Sequence, residues 1–289
     1  MKEGDSMKKK IIIIVFLIIF VLMVIELYID ASWIQTTRFE VSSDKVPASF
    51  DGYKILHLSD LHSKEFGKNN GKLLQKIDDA KPDVIVLTGD FVTANETDFT
   101  VFFELVDKIS PKYEVYYITG NHEQAMMGSS KKEIFSYLLE KGVKFLNNEH
   151  IEIGQGEEKI NLYGLCYESA YYSGRRGNIY TQEMMTKSLD EADLSKYNIL
   201  LTHSPTNFEV YKSWGADLIL SGHVHGGMIR VPFVGAIFSP DEGFMPKYSA
   251  GKYEMEESIL IVSRGLGRGS RGFRLFNRPN LVEITLKST

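Results

Sequence analysis

Lys54-Ile55-Leu56-His57-Leu58-Ser59-Asp60-Leu61-His62 is an apolar run that breaks into polar residues at its end. A short apolar run of this kind reads as a buried strand, and its polar end as a loop at the strand's carboxyl edge. The pattern recurs. Asp83-Val84-Ile85-Val86-Leu87 leads into Thr88-Gly89-Asp90, and Val115-Tyr116-Tyr117-Ile118-Thr119 into Gly120-Asn121-His122-Glu123. Amphipathic stretches lie between the runs. Asn70 to Ala80 places Leu73, Leu74 and Ile77 on one face and is broken by Pro82; Glu96 to Ile109 is stopped by Pro111. A third helix is predicted over Lys131 to Lys141. This alternation predicts an α/β fold, a hydrophobic sheet covered by helices.

The second half is richer in strands. Ile151 to Ile153 and Ile160 to Leu165 flank Gly154-Gln155-Gly156 as a hairpin. Asn198 to Thr202 and Asp217 to Leu220 are predicted strands separated by a short helix, Phe208 to Trp214. Thr181 to Leu189 reads as helical, and Ser258 to Ser263 and Leu281 to Leu286 as the closing strands. One strand ends at His203. The next runs into Ser221-Gly222-His223-Val224-His225-Gly226-Gly227, a turn shaped by glycine. On an extended strand these two histidines would point the same way, whereas on an irregular loop they diverge to two points. Tyr171 to Tyr180 reads as a polar loop. Its Tyr171, Tyr172, Arg175 and Arg176 are either a lid or membrane-facing rim, or an ordinary surface loop.

Length and composition narrow the function. The 289 residues suit one large α/β domain with extensions. A net charge of −5 argues against nucleic acid as a partner, which calls for a basic surface. The single cysteine, Cys166, rules out an internal disulfide and a four-cysteine zinc site. It lies in the apolar run Leu162 to Tyr167 and reads as a buried structural thiol. Nothing in the sequence specifies a protein partner.

Residues 1–30 read as a basic segment and membrane anchor. Lys8-Lys9-Lys10 precedes an apolar run from Ile11 to Ile29, interrupted by Glu26. At about 1.5 Å per residue such a helix approaches the roughly 30 Å hydrocarbon core. The run exceeds the roughly 7–15 apolar residues of a signal peptide, and Asp30-Ala31-Ser32-Trp33 is a poor cleavage site. Lysines before the helix, and Asp30, Glu40 and Asp44 after it, predict a single-pass cell-membrane protein with a cytoplasmic N-terminus and an extracytoplasmic domain. Residues 31–52 read as a connector with one strand-like piece, Arg38 to Val41, and residues 53–289 as the main domain.

Sites in open α/β sheets form outside the carboxyl ends of the strands. Five strand ends here carry Asp60 and His62, Asp90, Asn121 with His122 and Glu123, His203, and His223 with His225. Singly, each is an ordinary cap or surface residue; five together point to a metal site. One catalytic transition metal takes roughly three or four protein ligands. The seven candidates Asp60, His62, Asp90, Asn121, His203, His223 and His225 therefore suit two ions sharing a carboxylate. Imidazole and carboxylate without thiolate suit manganese, iron or zinc.

The succession Asp60-x-His62, Gly89-Asp90, Gly120-Asn121-His122-Glu123, His203, Gly222-His223-x-His225 resembles the calcineurin-like metallophosphoesterase superfamily over about Tyr53 to the C-terminus. Gly226 to Pro232, Val262 to Gly267 and Arg274 to Pro279 resemble its bacterial membrane-anchored or exported phosphodiesterases. The resemblance implies an αββα sandwich of two packed β-sheets flanked by helices, here with one N-terminal transmembrane helix. It implies that Asp60, His62, Asp90 and His225 hold one metal, and Asp90, Asn121, His203 and His223 the other, with Asp90 bridging. It casts His122 as the non-ligand histidine beside the phosphate and Glu123 as its orienting carboxylate. Thr93 departs from the family, many members of which carry an acid three positions after the bridging aspartate.

A metal pair at about 3.5–4 Å separation clamps the attacking and leaving oxygens of a displacement at phosphorus and supplies hydroxide at neutral pH. His122 would stabilise developing charge or protonate the leaving oxygen, and Asn121 would face the phosphate with a neutral oxygen. The expected activity is hydrolysis of a phosphodiester or pyrophosphate by a metal-bridging hydroxide, on a phosphorylated small molecule or lipid. A lipid precursor pyrophosphatase of the UDP-diacylglucosamine type is the alternative substrate class. A non-catalytic scaffold is the alternative from another class, and one that would be expected to have lost ligands. Arg264, Arg268, Arg271, Arg274 and Arg278 either grip an anionic group of the substrate, with Arg264 foremost, or form a solvated or lipid-facing basic loop.

Overall fold

In a computed structural model, which describes residues 2–167, 171, 180–231, 233–239, 243–268 and 274–289, the strands are, in chain order, β1 (Gln35–Ser43), β2 (Lys54–Leu58), β3 (Val84–Thr88), β4 (Glu114–Ile118), β5 (Lys144–Phe145), β6 (Glu149–Gln155), β7 (Glu158–Leu165), β8 (Asn198–Thr202), β9 (Leu218–Ser221), β10 (Ile229–Val231), β11 (Gly235–Ser239), β12 (Gly243–Phe244), β13 (Gly251–Met255), β14 (Ser258–Val262) and β15 (Asn280–Ser288). The helices are α1 (Lys2–Ser32), α2 (Gly71–Ala80), α3 (Thr100–Ile109), α4 (Asn121–Ala125), α5 (Ser129–Glu140), α6 (Gln182–Leu189) and α7 (Phe208–Trp214).

Two six-stranded sheets form the body. One is ordered β1-β15-β2-β3-β4-β5 and the other β13-β14-β9-β8-β7-β6. Alternation along the strands explains the layers. Leu56, Leu58, Ile85 and Leu87 face a core shared with α2, α3 and α5. Their neighbours Ile55, Val84 and Val86 face the other sheet, meeting Leu162, Ile199, Leu201 and Leu220. The second sheet's outer face packs Leu200, Ile219 and Leu260 against Met185, Phe208, Tyr211 and Trp214 of α6 and α7. Strands β3, β8 and β9 are buried throughout, as strands covered on both faces must be. The fold is the αββα sandwich that the resemblance implied. Cys166 is a buried free thiol in the layer between the sheets.

Strands β2, β3, β4 and β5 are mutually parallel, as are β7, β8, β9 and β14. The predicted polar clusters therefore leave the strands at one edge of each sheet. A third sheet, β10-β11-β12, comes directly after the His223 and His225 turn.

The stretch read as a connector is part of the domain. Strand β1 pairs with β15 in parallel over its whole length, so the folded unit begins at Gln35 rather than Tyr53. Its sequence hides this because it is an edge strand on which only Val41 is buried. Helix α3 begins at Thr100, not Glu96, because the Glu96 carboxylate accepts from Thr93 N–H and the Ser63 hydroxyl at 2.9 and 2.6 Å and so belongs to a loop. Helix α1 extends past the predicted anchor to Ser32. Its stretch Met7–Ser32 contains an 18-residue window of mean hydropathy 3.2 and is the one helix among the described residues long and apolar enough to cross a membrane. The predicted loop residues Tyr172, Arg175 and Arg176 lie outside the described residues, as does Arg271.

Candidate metal centre

The loops after β2 and β3 are laced together by their backbones. Asp60, His62 and Ser63 N–H donate to the carbonyls of Gly89, Asp90 and Phe91 at 3.0, 3.0 and 2.9 Å. The lacing holds residues in conformations that side chains rarely adopt. Five of the seven predicted ligands have left-handed backbones: Asp60 (φ 53°), His62 (47°), Asp90 (55°), His223 (70°) and His225 (53°). Each such residue costs of order 1–3 kcal/mol, and residues of this kind cluster at functional sites. Two glycines permit the approach of the loops. A Cβ at Gly120 would overlap the Asp90 carboxylate, and one at Gly222 would overlap Ser59 Oγ and Asp60 Oδ2.

Six of the seven predicted ligands form two clusters, joined by a third group of His62, Asp90 and His122 that shares one residue with each. Asp60, His62 and His225 place ligand atoms within 4.8 Å of one another, and so do Asp90, His203 and His223. Asp90 Oδ2 lies 3.2 Å from His203 Nε2 and 3.8 Å from His62 Nε2, so one carboxylate faces both groups. His225 Nε2 is 3.6 Å from Asp60 Oδ1 and 3.3 Å from His62 Nε2. The two histidines of the glycine turn thus diverge, one into each cluster. The seventh, Asn121, begins α4 beside Asp90, and its Oδ1 is buried with no hydrogen-bond partner.

Backbone groups fix the remaining atoms. The Asp60 carboxylate accepts from His223 N–H at 3.1 Å, and Asp90 Oδ1 accepts from His122 N–H at 2.8 Å. His203 Nδ1 lies 2.6 Å from the Thr88 carbonyl, which can only accept. The Nδ1 therefore carries the proton, and Nε2 is the atom that faces Asp90.

A family model described as calcineurin-like phosphoesterase matches residues 53–227. The chain belongs to the calcineurin-like phosphoesterases. Similar proteins include the uncharacterized metallophosphoesterase YkuE of Bacillus subtilis, 28% identical over 91% of this chain and 88% of that one. Phosphodiesterase YaeI of Escherichia coli is 29% identical over 90% of each chain. The solved structure of TT1561 from Thermus thermophilus shares the fold, with a TM-score of 0.50 at 12% identity over 75% of this chain and 92% of that one. This phosphoesterase is accordingly a metal-dependent phosphoric ester hydrolase.

The electrostatics of the phosphoesterase site suit cations. Burial lowers His62 to about 4 and His223 to about 3, and puts His225 well below the ordinary histidine range, so these rings are neutral lone-pair donors. Burial pushes Asp60 up to about 6, with His203 opposing and Asp90 adding to the rise. Burial acts on Asp90 in the same sense. There, His203 outweighs it by charge and hydrogen bonding and holds the carboxyl well below its usual range. Burial would pull His203 down, yet Asp90 and Asp60 keep it up at about 10. Two buried carboxylates side by side demand a positive partner, and metal ions would meet that demand more fully than one imidazolium. The donor set therefore fits a metal pair.

One predicted role in the phosphoesterase is corrected. Glu123 does not orient His122. Its oxygens accept from Asp90, Phe91 and Gly120 N–H at 2.9, 2.7 and 2.9 Å, so it fastens the Asp90 loop to the start of α4. His122 is oriented by Ala94 N–H, 3.1 Å from its Nδ1. With Nδ1 accepting, Nε2 is the ring nitrogen left to donate. The His122 ring stands edge-on to His62 at 4.8 Å. Arg264 is the residue predicted to grip an anionic group of the substrate. Its guanidinium donates to Gln35 Oε1 at 2.9 Å on the rim.

Two further residues shape this site in ways that the sequence does not disclose. Arg274 is buried and donates to the carbonyls of Arg264, Gly265, Gly267 and Asn277. That stretch in turn donates Leu266 and Gly267 N–H to the carbonyls of Ser59 and Asp60. Asn277 Nδ2 donates to the His225 carbonyl at 2.8 Å and to that of Gly227. The one signal in the sequence is an arginine amid glycines, and it points equally to solvent.

Proposed function

We propose that the chain hydrolyses a phosphodiester or pyrophosphate with two metal ions, held by Asp60, His62, Asp90 and His225 on one side and by Asp90, Asn121, His203 and His223 on the other. The observation that carries this reading is the position of the Asp90 carboxylate, 3.8 Å from His62 of one cluster and 3.2 Å from His203 of the other. Bound metals would supply charge neutralisation at the phosphoryl oxygens and an acidified water as nucleophile. Asn121 adds an uncharged oxygen, which spares an anionic substrate one repulsion. His122, not needed as a ligand, has its Nε2–H to offer to the leaving oxygen. Metal assignment to manganese, iron or zinc rests on the mixed imidazole and carboxylate donors.

The substrate is a phosphorylated small molecule or lipid head group met at a membrane to which α1 anchors the domain. The lysines before the apolar stretch favour a cytoplasmic N-terminus and an extracytoplasmic site. Metal analysis of the purified chain, with a screen of phosphomonoesters, diesters and pyrophosphates, tests the reaction. Release of product from monoesters alone would overturn it. Protease treatment of intact, wall-stripped cells tests the topology, which fails if the domain is cut only once the membrane is opened.

A further inference from the structure

We propose that the β10–β11 turn and its neighbours form a second membrane contact, and that the site therefore acts on phosphodiesters carried by membrane lipids. The lipid half rests on the phosphodiesterase reading above. The surface is unusual for this chain. Phe233 is fully exposed, Phe244 and Met245 are 80% and 68% exposed, and Val234 and Phe276 are 58% and 48% exposed. Away from this face, and from α1 with the adjoining Trp33, the exposed large apolar residues among those described are Met127, Leu139 and Leu194, none adjacent in sequence to another. Scattered apolar residues need no explanation, but a contiguous patch marks an interaction site.

The occupant is identified by what the patch is joined to. Leu275 is bonded to the first strand of the small sheet, accepting from Arg230 N–H at 3.0 Å and donating to the Met228 carbonyl at 3.1 Å. Two residues on, Asn277 N–H donates to Asp30 Oδ1 at 3.1 Å, at the end of α1. Arg278 then lies over the ring of Trp33, 5.4 Å from its centroid, and Gln35 N–H donates to the Pro279 carbonyl at 2.8 Å. The patch thus begins within a few residues of the point where the apolar helix leaves the domain. A bilayer crossed by α1 comes up against this face. Arg230, Arg264 and Arg278 stand beside it, as lipid phosphates would require.

The same bonds tie the patch to the chemistry. Strand β10 comes directly after His225-Gly226-Gly227, and Asn277 holds the His225 carbonyl while its own N–H binds Asp30. His225 is also the most exposed of the ion-paired ligands, its side chain 21% accessible. A phosphodiester lying at head-group depth would reach the ligands from that side. The region lies beyond residue 227, where the family match ends.

The test uses the full chain in phosphatidylcholine–phosphatidylglycerol vesicles. A nitroxide on Phe233→Cys is compared with one on Leu139→Cys, which sits near the end of α5 at the opposite edge of the sheet; the native Cys166 is buried. The Phe233 label should collide with oxygen in preference to an aqueous nickel chelate, and the Leu139 label the reverse. Turnover of bis-para-nitrophenyl phosphate in solution is compared with that of phosphatidyl-para-nitrophenol in the vesicles. In Phe233→Ser/Val234→Ser the soluble diester should be cleaved within about twofold of the parent rate, and the lipid diester roughly tenfold or more slowly. A Phe233 label in water overturns the membrane contact, and spin–spin broadening between chains would assign the face to a second copy instead. Equal effects on both diesters overturn the lipid substrate. A parent chain inactive on both diesters, with its label immersed in lipid, overturns the phosphodiesterase reading while supporting the contact.

Discussion

The first sheet brings three candidate oxygen donors and one imidazole to the proposed metal centre; the second brings imidazoles alone. The two contributions are also held differently. Asp60 and Asp90 sit on loops laced to each other by backbone bonds, with Glu123 closing the lacing. His203 and His223 are held by reaching across, one to the Thr88 carbonyl and the other through its N–H to the Asp60 carboxylate. The first sheet is a frame, and the second is a clamp seated on it. Damage to the frame should remove both halves of the centre, whereas damage to the clamp should remove one.

Asp90→Ala is the severest test of that difference. It takes away the carboxylate that faces both clusters, so diester turnover should fall by more than about 10⁴-fold of the 10⁶ or more that enzymes typically supply. A loss no greater than that of His225→Ala, measured as kcat/KM on the same diester, would break the distinction between frame and clamp. His122→Ala comes next. It should keep the metal content of the parent and lower kcat by about 10²–10⁴-fold, less for nitrophenyl esters whose leaving group needs no proton. An equal loss for good and poor leaving groups would make His122 a stabiliser of charge instead.

Gly120→Ala sharpens the account of the frame, since its Cβ would meet the Asp90 carboxylate. A cost of about 1–3 kcal/mol in chemical denaturation, with reduced metal content, is expected. The smallest effect concerns His57, buried in β2 and 2.7 Å from Thr88 Oγ1. Burial lowers its folded pKa to about 3, below the unfolded value of 6.5. The unfolded chain thus binds the extra proton first, and stability falls as pH drops from 6.5 towards 3, by about 1.4 kcal/mol per unit. His57→Gln should flatten the stability-against-pH slope by that amount, read from denaturant titrations at about pH 7 and pH 5.

The frame is more legible in the sequence than its fastenings. Asp60, Asp90 and Asn121 announce themselves because each comes after an apolar run, and a buried strand can be recognised from its own residues. The divergence of His223 and His225 cannot be read, since it depends on left-handed backbones stabilised by other loops. Glu123 misleads for a related reason. A carboxylate next to a histidine suggests a pair, and only the fold reveals three backbone N–H groups competing for it. Strand β1 resembles a connector because an edge strand exposes most of its side chains. Asp30 reads as a charge outside the membrane, yet it is buried against Asn277, a contact 247 residues away in sequence.

Frame and clamp together are proposed to hold two ions that share Asp90. Elemental analysis of the purified parent chain, His225→Ala, His223→Ala and Asp90→Ala tests this most directly. About two ions per chain are expected in the parent, about one in each histidine variant, and less than one in Asp90→Ala. Two ions retained in Asp90→Ala, or a single ion in the parent, would contradict it.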